Sequence, residues 1–328
     1  MGEQPPSTPK SKRRKWAATA LKAVVAAVIL AVVIHKVGGR NVLDALRQFP
    51  PMVFLAAVGA YCLMQALKAL RLKLLLHAAE LSVAYLRVLA IYFIGMFFNT
   101  ALPTIVGGDA VRVGYLFRET GHFERAAAAT LTERAMGMGA LVVIALAGLA
   151  FGAAELTHAV VWSVVWASGC VVAALLLFFA PWVYRLARKF TANLRLRKLH
   201  RMAVRLEEAM AFYRQRMSIV AVAVTISFIG QFMMIAIYFL VARGLGMEIE
   251  PEFFLIAAPV SVLISMVPIT ISGLGVREVC WVLLLATRGV SRADAVALSL
   301  LWFAVATASG LFGAPAFFLL GKPPRENP

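Results

Sequence analysis

Charge is scarce in this chain. Only 15% of its 328 residues are Asp, Glu, Lys or Arg, against about a quarter in soluble domains. Acidic residues are scarcer still, 16 against 33 Lys plus Arg, which leaves a formal net charge of +17. Cysteine is nearly missing. Cys62, Cys170 and Cys280 lie far apart, each inside an apolar run, which excludes a disulfide framework and a cysteine-based zinc site. Five scattered histidines match no metal-ligand spacing. No HExxH, GxSxG, phosphate-binding loop or dinucleotide fingerprint occurs, so no catalytic residue, metal or cofactor is read from the sequence. What the chain has is apolar surface: 62% of residues are hydrophobic and the mean hydropathy is +0.83. A soluble globule, a disordered chain and a secreted disulfide scaffold are excluded. A polytopic membrane protein remains, because only helices and closed barrels satisfy their backbone in lipid. Barrel strands alternate apolar and polar residues. The long unbroken apolar runs here predict an all-α polytopic membrane protein instead.

The basic residues cluster at the ends of apolar runs. That is a topology signal and a contact for anionic lipid, so no nucleic-acid partner is expected. Residues 1–15 form a basic tail, with Lys10-Ser-Lys-Arg-Arg-Lys15 leading into the apolar run Trp16–Ile34. The run is long for a signal-peptide core and no small-residue cleavage site follows. A retained first transmembrane helix is expected, with Lys22 snorkelling to the surface. Further helices are predicted over Met52–Leu76, Arg134–Phe151, Ala159–Trp182, Ile219–Val241 and Ala293–Leu320. An amphipathic stretch around His122–Leu131 precedes Arg134–Phe151. Gly148 and Gly152 have the spacing of a helix-packing motif, read as packing within the chain. The segment Tyr184–Arg216 is strongly basic, whereas the loop with Glu248, Glu250 and Glu252 is acidic. The positive-inside rule puts the N-terminal cluster and the 184–216 segment in the cytoplasm and the acidic loop outside. Six full spans result, with both termini cytoplasmic and residues 321–328 as a short cytoplasmic tail.

Two interrupted stretches are left over. Val83–Phe98 and Val111–Phe117 flank a Pro-Gly segment, as do Phe253–Val267 and Val279–Ala286. Each arm falls short of the ~20 residues needed to span. Parity of the topology returns each stretch to the side it entered from, so each is predicted to be a re-entrant helical hairpin, one from each face. Their tips are alike. Pro103-Thr-Ile-Val-Gly-Gly108-Asp-Ala-Val111-Arg112 aligns without a gap on Pro268-Ile-Thr-Ile-Ser-Gly273-Leu-Gly-Val276-Arg277, with Pro, Gly, Val and Arg coinciding. Residues 16–320 then form one transmembrane domain of two inverted halves, about 52–151 and 219–320, linked by the basic segment 184–216. Inverted repeats whose broken helices meet at the midplane mark transporters, and the breaks point to the binding site.

The tips carry the chemistry. Gly107, Gly108, Gly273 and Gly275 allow close backbone approach, and a half-helix start presents unpaired N–H groups to an anion. Arg112 and Arg277 add forked donors suited to phosphate. These six are the candidate substrate-binding residues. Asp109, Glu278, Glu133 and Arg134 are candidates for charge balance or proton coupling. The plain structural alternative makes the arginines ion-paired pins that close the hairpins.

At these residues the sequence resembles a known family. Gly107-Gly-Asp-Ala-Val-Arg112, Thr132-Glu-Arg134, Pro268 and Ser272-Gly-Leu-Gly-Val-Arg-Glu278 are similar to the membrane region of lysylphosphatidylglycerol synthases and related flippase-like membrane proteins. The resemblance covers nearly the whole chain past the basic N-terminus. It implies a bacterial inner-membrane protein that moves a lipid between leaflets. In the full synthases that lipid is an aminoacylated phosphatidylglycerol made by a soluble C-terminal domain. The sequence ends at Pro328, so that domain is expected to be absent and aminoacyl transfer is not carried over. Where family members often carry an arginine in the last helix, this chain has Trp302-Phe303. The expected function is a flippase for a lipid with an anionic, phosphate-bearing head group, with that lipid and lipid-biosynthesis enzymes as partners. The alternatives are a membrane-embedded lipid-modifying enzyme and an accessory subunit of a lipid-synthesis pathway.

Overall fold

The computed structural model describes residues 39–101, 107–152, 215–265 and 275–320, with short pieces between residues 161 and 213. The described residues are all-helical. A short amphipathic helix, α1 (Gly39–Gln48), precedes α2 (Pro51–Ala78), α3 (Tyr85–Ala101), α4 (Gly107–Thr120) and α5 (Phe123–Gly152). Then follow α6 (Met217–Gly244), α7 (Pro251–Ser265), α8 (Val276–Ala286), α9 (Arg292–Leu311) and α10 (Gly313–Leu320). Four stretches are long and apolar enough to cross a membrane: Pro51–Ala78, Phe123–Ala150, Met217–Gly244 and Arg292–Leu320. They account for four of the six expected spans. Trp16–Ile34 and most of the basic 184–216 segment lie outside the described residues, as does much of Ala159–Trp182.

Local sequence chemistry sets the boundaries. Pro51 opens α2 at the one turn where its missing N–H costs nothing, behind Pro50 in an extended conformation. Glu80 closes α2 in the left-handed region (φ 61°). The Leu81 N–H reaches back to the Leu76 carbonyl at 2.9 Å and so caps the helix end. Ser291 caps α9 by accepting from the Asp294 N–H at 3.1 Å. Two boundaries differ from expectation. The stretch around His122–Leu131 is the opening of α5, not a separate element, because nothing between Phe123 and Gly137 breaks a helix and the alanines at 126–129 favour one. The last span is broken at Phe312. There Pro315 has no N–H to give the Leu311 carbonyl, and Gly313 is pressed against the Phe93 carbonyl of α3, where an added Cβ would stand 2.1 Å away.

The helices pack as two closed rings. In the first, α2 packs on α3, α3 on α4, α4 on α5 and α5 back on α2. In the second, α6 packs on α7, α7 on α8, α8 on α9 and α9 back on α6. The rings join through α2 against α6, α5 against α6 and α7, and α9 against α2 and α3. Gly148 seats α5 on α7, beside Leu255 and Ile256, which is packing within the chain. In both rings the short helices run antiparallel. Gly108 faces Asn99, Arg112 faces Gly95, and Arg87 pairs with Glu119. Trp281 meets Phe254 and Arg288 meets Phe253. Each pair is therefore a helical hairpin. Its links, residues 102–106 and 266–274, lie outside the described residues.

Two apolar cores follow from this packing. One gathers Leu72, Leu75, Ile91, Ile94, Tyr115 and Leu116 of the first ring. The other gathers Tyr238, Phe254, Trp281, Leu285 and Leu298 of the second, with Leu141 and Leu149 of α5. Helices α2, α5 and α6 run through both. Met64 belongs to one core and Ala69 to the other, which leaves Gln65 and Lys68 of α2 at the seam between them.

Candidate functional site

A cavity of about 440 Å³ opens at that seam. Helix α2 offers one face to it, with Gln65, Lys68 and Arg71 spaced three apart. Hairpin α3–α4 contributes Tyr92, Asn99, Asp109 and Arg112, and α5 contributes Glu133, Arg134 and Gly137. The second ring adds Gln231 and Tyr238 from α6, Ser265 from α7, Arg277 from α8 and Trp302 from α9. Met96, Met138, Leu141, Met234 and Val262 complete an apolar lining.

The charges in the first ring form one network. The Glu133 carboxylate accepts from the Arg71 guanidinium and lies 3.5 Å from Arg112 Nη1. The Tyr92 hydroxyl donates to it at 3.3 Å. Arg71 also donates to Ser227 Oγ of α6 at 2.6 Å, which ties the two rings together. Asp109 accepts from both Arg112 and Arg134. The Arg112 guanidinium sits over the Tyr92 ring, 4.2 Å from its centroid. Arg71 and Glu133 are each only 3% exposed. Arg112 keeps Nε and Nη1 without a hydrogen-bond partner among the described residues. The Lys68 ammonium lines the same cavity and makes neither a hydrogen bond nor an ion pair with them.

The second ring is built differently. Gly275 takes φ 88°, which opens α8, and the Glu278 carboxylate accepts the Gly275 N–H. Arg277 donates to Ser299 Oγ at 2.7 Å and lies 3.2 Å from Glu278, to which Ser299 donates at 2.6 Å. The Arg277 guanidinium stands 5.8 Å from the Phe303 ring centroid. Trp302 stacks on Tyr238 at 3.9 Å, and Tyr61 meets Trp302 edge-on at 5.5 Å. The position where an arginine was sought thus carries part of an aromatic stack facing the cavity.

A family model described as the lysylphosphatidylglycerol synthase TM region matches residues 19–313. The chain belongs to this family. No curated protein and no solved structure matches it. Membership makes it an integral, multi-pass membrane protein of lipid metabolism, in line with its four long apolar helices.

Among the family-motif residues, Arg112, Asp109, Glu133, Arg134 and Arg277 converge on one cavity from both hairpins and α5. Glu278 lies behind Arg277 and is fully buried. Gly108 serves close packing, its N–H donated to Asn99 Oδ1 at 2.9 Å. Gly107 is half-buried at the start of α4, and Gly273 lies outside the described residues. Sequence reasoning missed Gln65, Lys68 and Arg71, because a cation near a helix end reads as a flank. Their three-residue spacing, with a glutamine in register, was the available signal. Gln231 was another, a lone amide in the apolar helix α6 whose Nε2 donates to the Gly137 carbonyl at 2.8 Å.

Proposed function

We propose that this family member is a lipid transporter that carries a lipid with an anionic, phosphate-bearing head group between the leaflets of a bacterial inner membrane. The observation that carries this reading is the cavity where Arg112 and Arg277, one from each hairpin, face the same space beside a Lys68 ammonium that has no ion-pair partner among the described residues. Charge at depth is costly, and a cationic, apolar-walled pocket is an unfavourable place to leave empty of anions. Methionine and leucine side chains let the head group sit among the charges while its tails remain in lipid. Two of the proposed tip amides, those of Gly108 and Gly275, already donate to side chains, so the grip falls to the guanidinium and ammonium groups.

The membrane frame is part of the proposal. The four long helices join Trp16–Ile34 and Ala159–Trp182 as six full spans, with both termini cytoplasmic. The two hairpins are re-entrant. Helices α3 and α7 have 17 and 15 residues, α4 and α8 have 14 and 11, all short of the ~20 needed to span. The ring contacts support an inverted repeat. Exchanging α2–α5 for α6–α9 turns every inter-ring contact into another that is present: α5 on α6 becomes α9 on α2, and α5 on α7 becomes α9 on α3. The long helices agree as well, with 28 residues in both α2 and α6.

The test is transport in reconstituted vesicles with a fluorescent phosphatidylglycerol, recovered chemically unchanged. Arg277→Gln removes one charged donor and leaves the buried Glu278 with Gly275 and Ser299 as neutral partners, a change that costs stability, so transport is read only on the folded, monodisperse fraction. A buried charge-assisted contact is worth roughly 1.5–3 kcal/mol. Transport should therefore fall by about tenfold to a hundredfold. A folded variant that moves the lipid at the wild-type rate would remove Arg277 from head-group binding.

A further inference from the structure

Among the described residues the cavity's charges do not balance. Lys68, Arg71, Arg112, Arg134 and Arg277 line it or face it. Asp109 and Glu133 also line it, and Glu278 pairs with Arg277 from behind. Five cations against three carboxylates leave two positive charges. The hairpin links cannot supply the missing anions, since residues 102–106 and 266–274 contain no ionisable side chain. The surplus is concentrated. Asp109 is shared by Arg112 and Arg134, and Glu133 by Arg71 and Arg112. Lys68 is paired with nothing among the described residues, and Arg112 keeps a donor to spare. Uncompensated charge in a low-dielectric cavity is expensive, so the natural ligand is one that cancels it.

Resting on the reading that the cavity binds an anionic head group, we propose that this head group carries two negative charges, a terminal phosphate rather than a phosphodiester, and that Lys68 is the residue that selects for the second charge. A phosphomonoester offers three acceptor oxygens and two charges near neutral pH, its second proton leaving near pH ~6. A phosphodiester such as phosphatidylglycerol offers one charge. Arginine keeps its charge across that range, and a bound dianion holds the Lys68 ammonium protonated at the upper end of it, so in the complex the ligand's own second proton separates the two cases.

Binding is measured on the purified full chain with short-chain phosphatidic acid and short-chain phosphatidylglycerol, at pH 8 and pH 5. Phosphatidic acid should bind tighter at pH 8 by on the order of tenfold, the worth of one charge-assisted contact, and the preference should collapse at pH 5. Lys68→Met should bring the pH 8 preference close to unity, and Lys68→Arg should retain most of it. Equal binding of the two lipids at pH 8 overturns the two-charge assignment while leaving an anionic site in place. An unchanged preference in Lys68→Met overturns the role of Lys68. Binding of neither lipid sinks the anionic-head-group reading itself. Inorganic phosphate, run at pH 8, separates the sources. If it binds as tightly as phosphatidic acid, the two-charge assignment stands and the lipid reading fails.

Discussion

Replacing Glu133 by alanine is expected to destabilise the protein by about 3–5 kcal/mol, the usual effect of removing one partner from a buried ion pair. Glu133 is the only carboxylate that touches Arg71 among the described residues, and it also faces Arg112 and the Tyr92 hydroxyl. Without it, a guanidinium that is 3% exposed keeps Ser227 as a neutral partner and no counter-charge. Thermal unfolding of purified protein in a mild detergent reads the loss. The companion variants are Arg71→Met and the double Arg71→Met/Glu133→Ala. Each single change should cost several kcal/mol. The double should cost less than their sum, by a coupling of about 0.5–3 kcal/mol. Strictly additive losses would show that the pair contributes nothing as a pair.

The second large effect belongs to Gly108. A Cβ there would stand 2.1 Å from the Gly95 carbonyl and 2.5 Å from the Asn99 side chain. The carbonyl is held inside α3 and cannot swing aside. Gly108→Ala must therefore push α4 off α3, at a cost of at least about 1–3 kcal/mol for overpacking. It would also break the Gly108–Asn99 hydrogen bond and displace Arg112 from the cavity. Gly59→Ala is the control, because nothing lies within 4 Å of its added methyl. That change should be neutral or stabilising by about 0.4–1 kcal/mol. The yield of monodisperse protein and its unfolding temperature separate the two. A Gly108→Ala protein as stable as wild type would mean that the hairpin is looser than its contacts indicate.

Much of the frame was legible because it depends on local composition. The apolar runs Met52–Leu76 and Ile219–Val241 became helices within a few residues of their expected ends, whereas the helix expected from Arg134 begins at Phe123. The likeness of two short motifs singled out Arg112 and Arg277, and both line the same cavity. What the sequence withheld depends on distant partners. Arg71 finds Ser227, 156 residues away, and nothing near Arg71 announces that pairing. Lys68 and Arg71 therefore read as membrane-flanking cations. The break at Phe312 needed Phe93 of α3 as well as Pro315. Gly108 read as a substrate-facing amide because the close approach of Gly95 is set only when the hairpin folds.

The two rings share a frame but not a lining. The first presents Lys68, Arg71, Arg112 and Arg134, whereas the second presents Arg277 with the Tyr238–Trp302 stack. A carrier whose halves were chemically identical would have two end states of equal energy, one open to each leaflet. In this chain no symmetry enforces that equality. On the proposed transport reading, nothing holds the two orientations of the empty protein at equal energy, and any bias between them lies in side chains rather than in the helical scaffold.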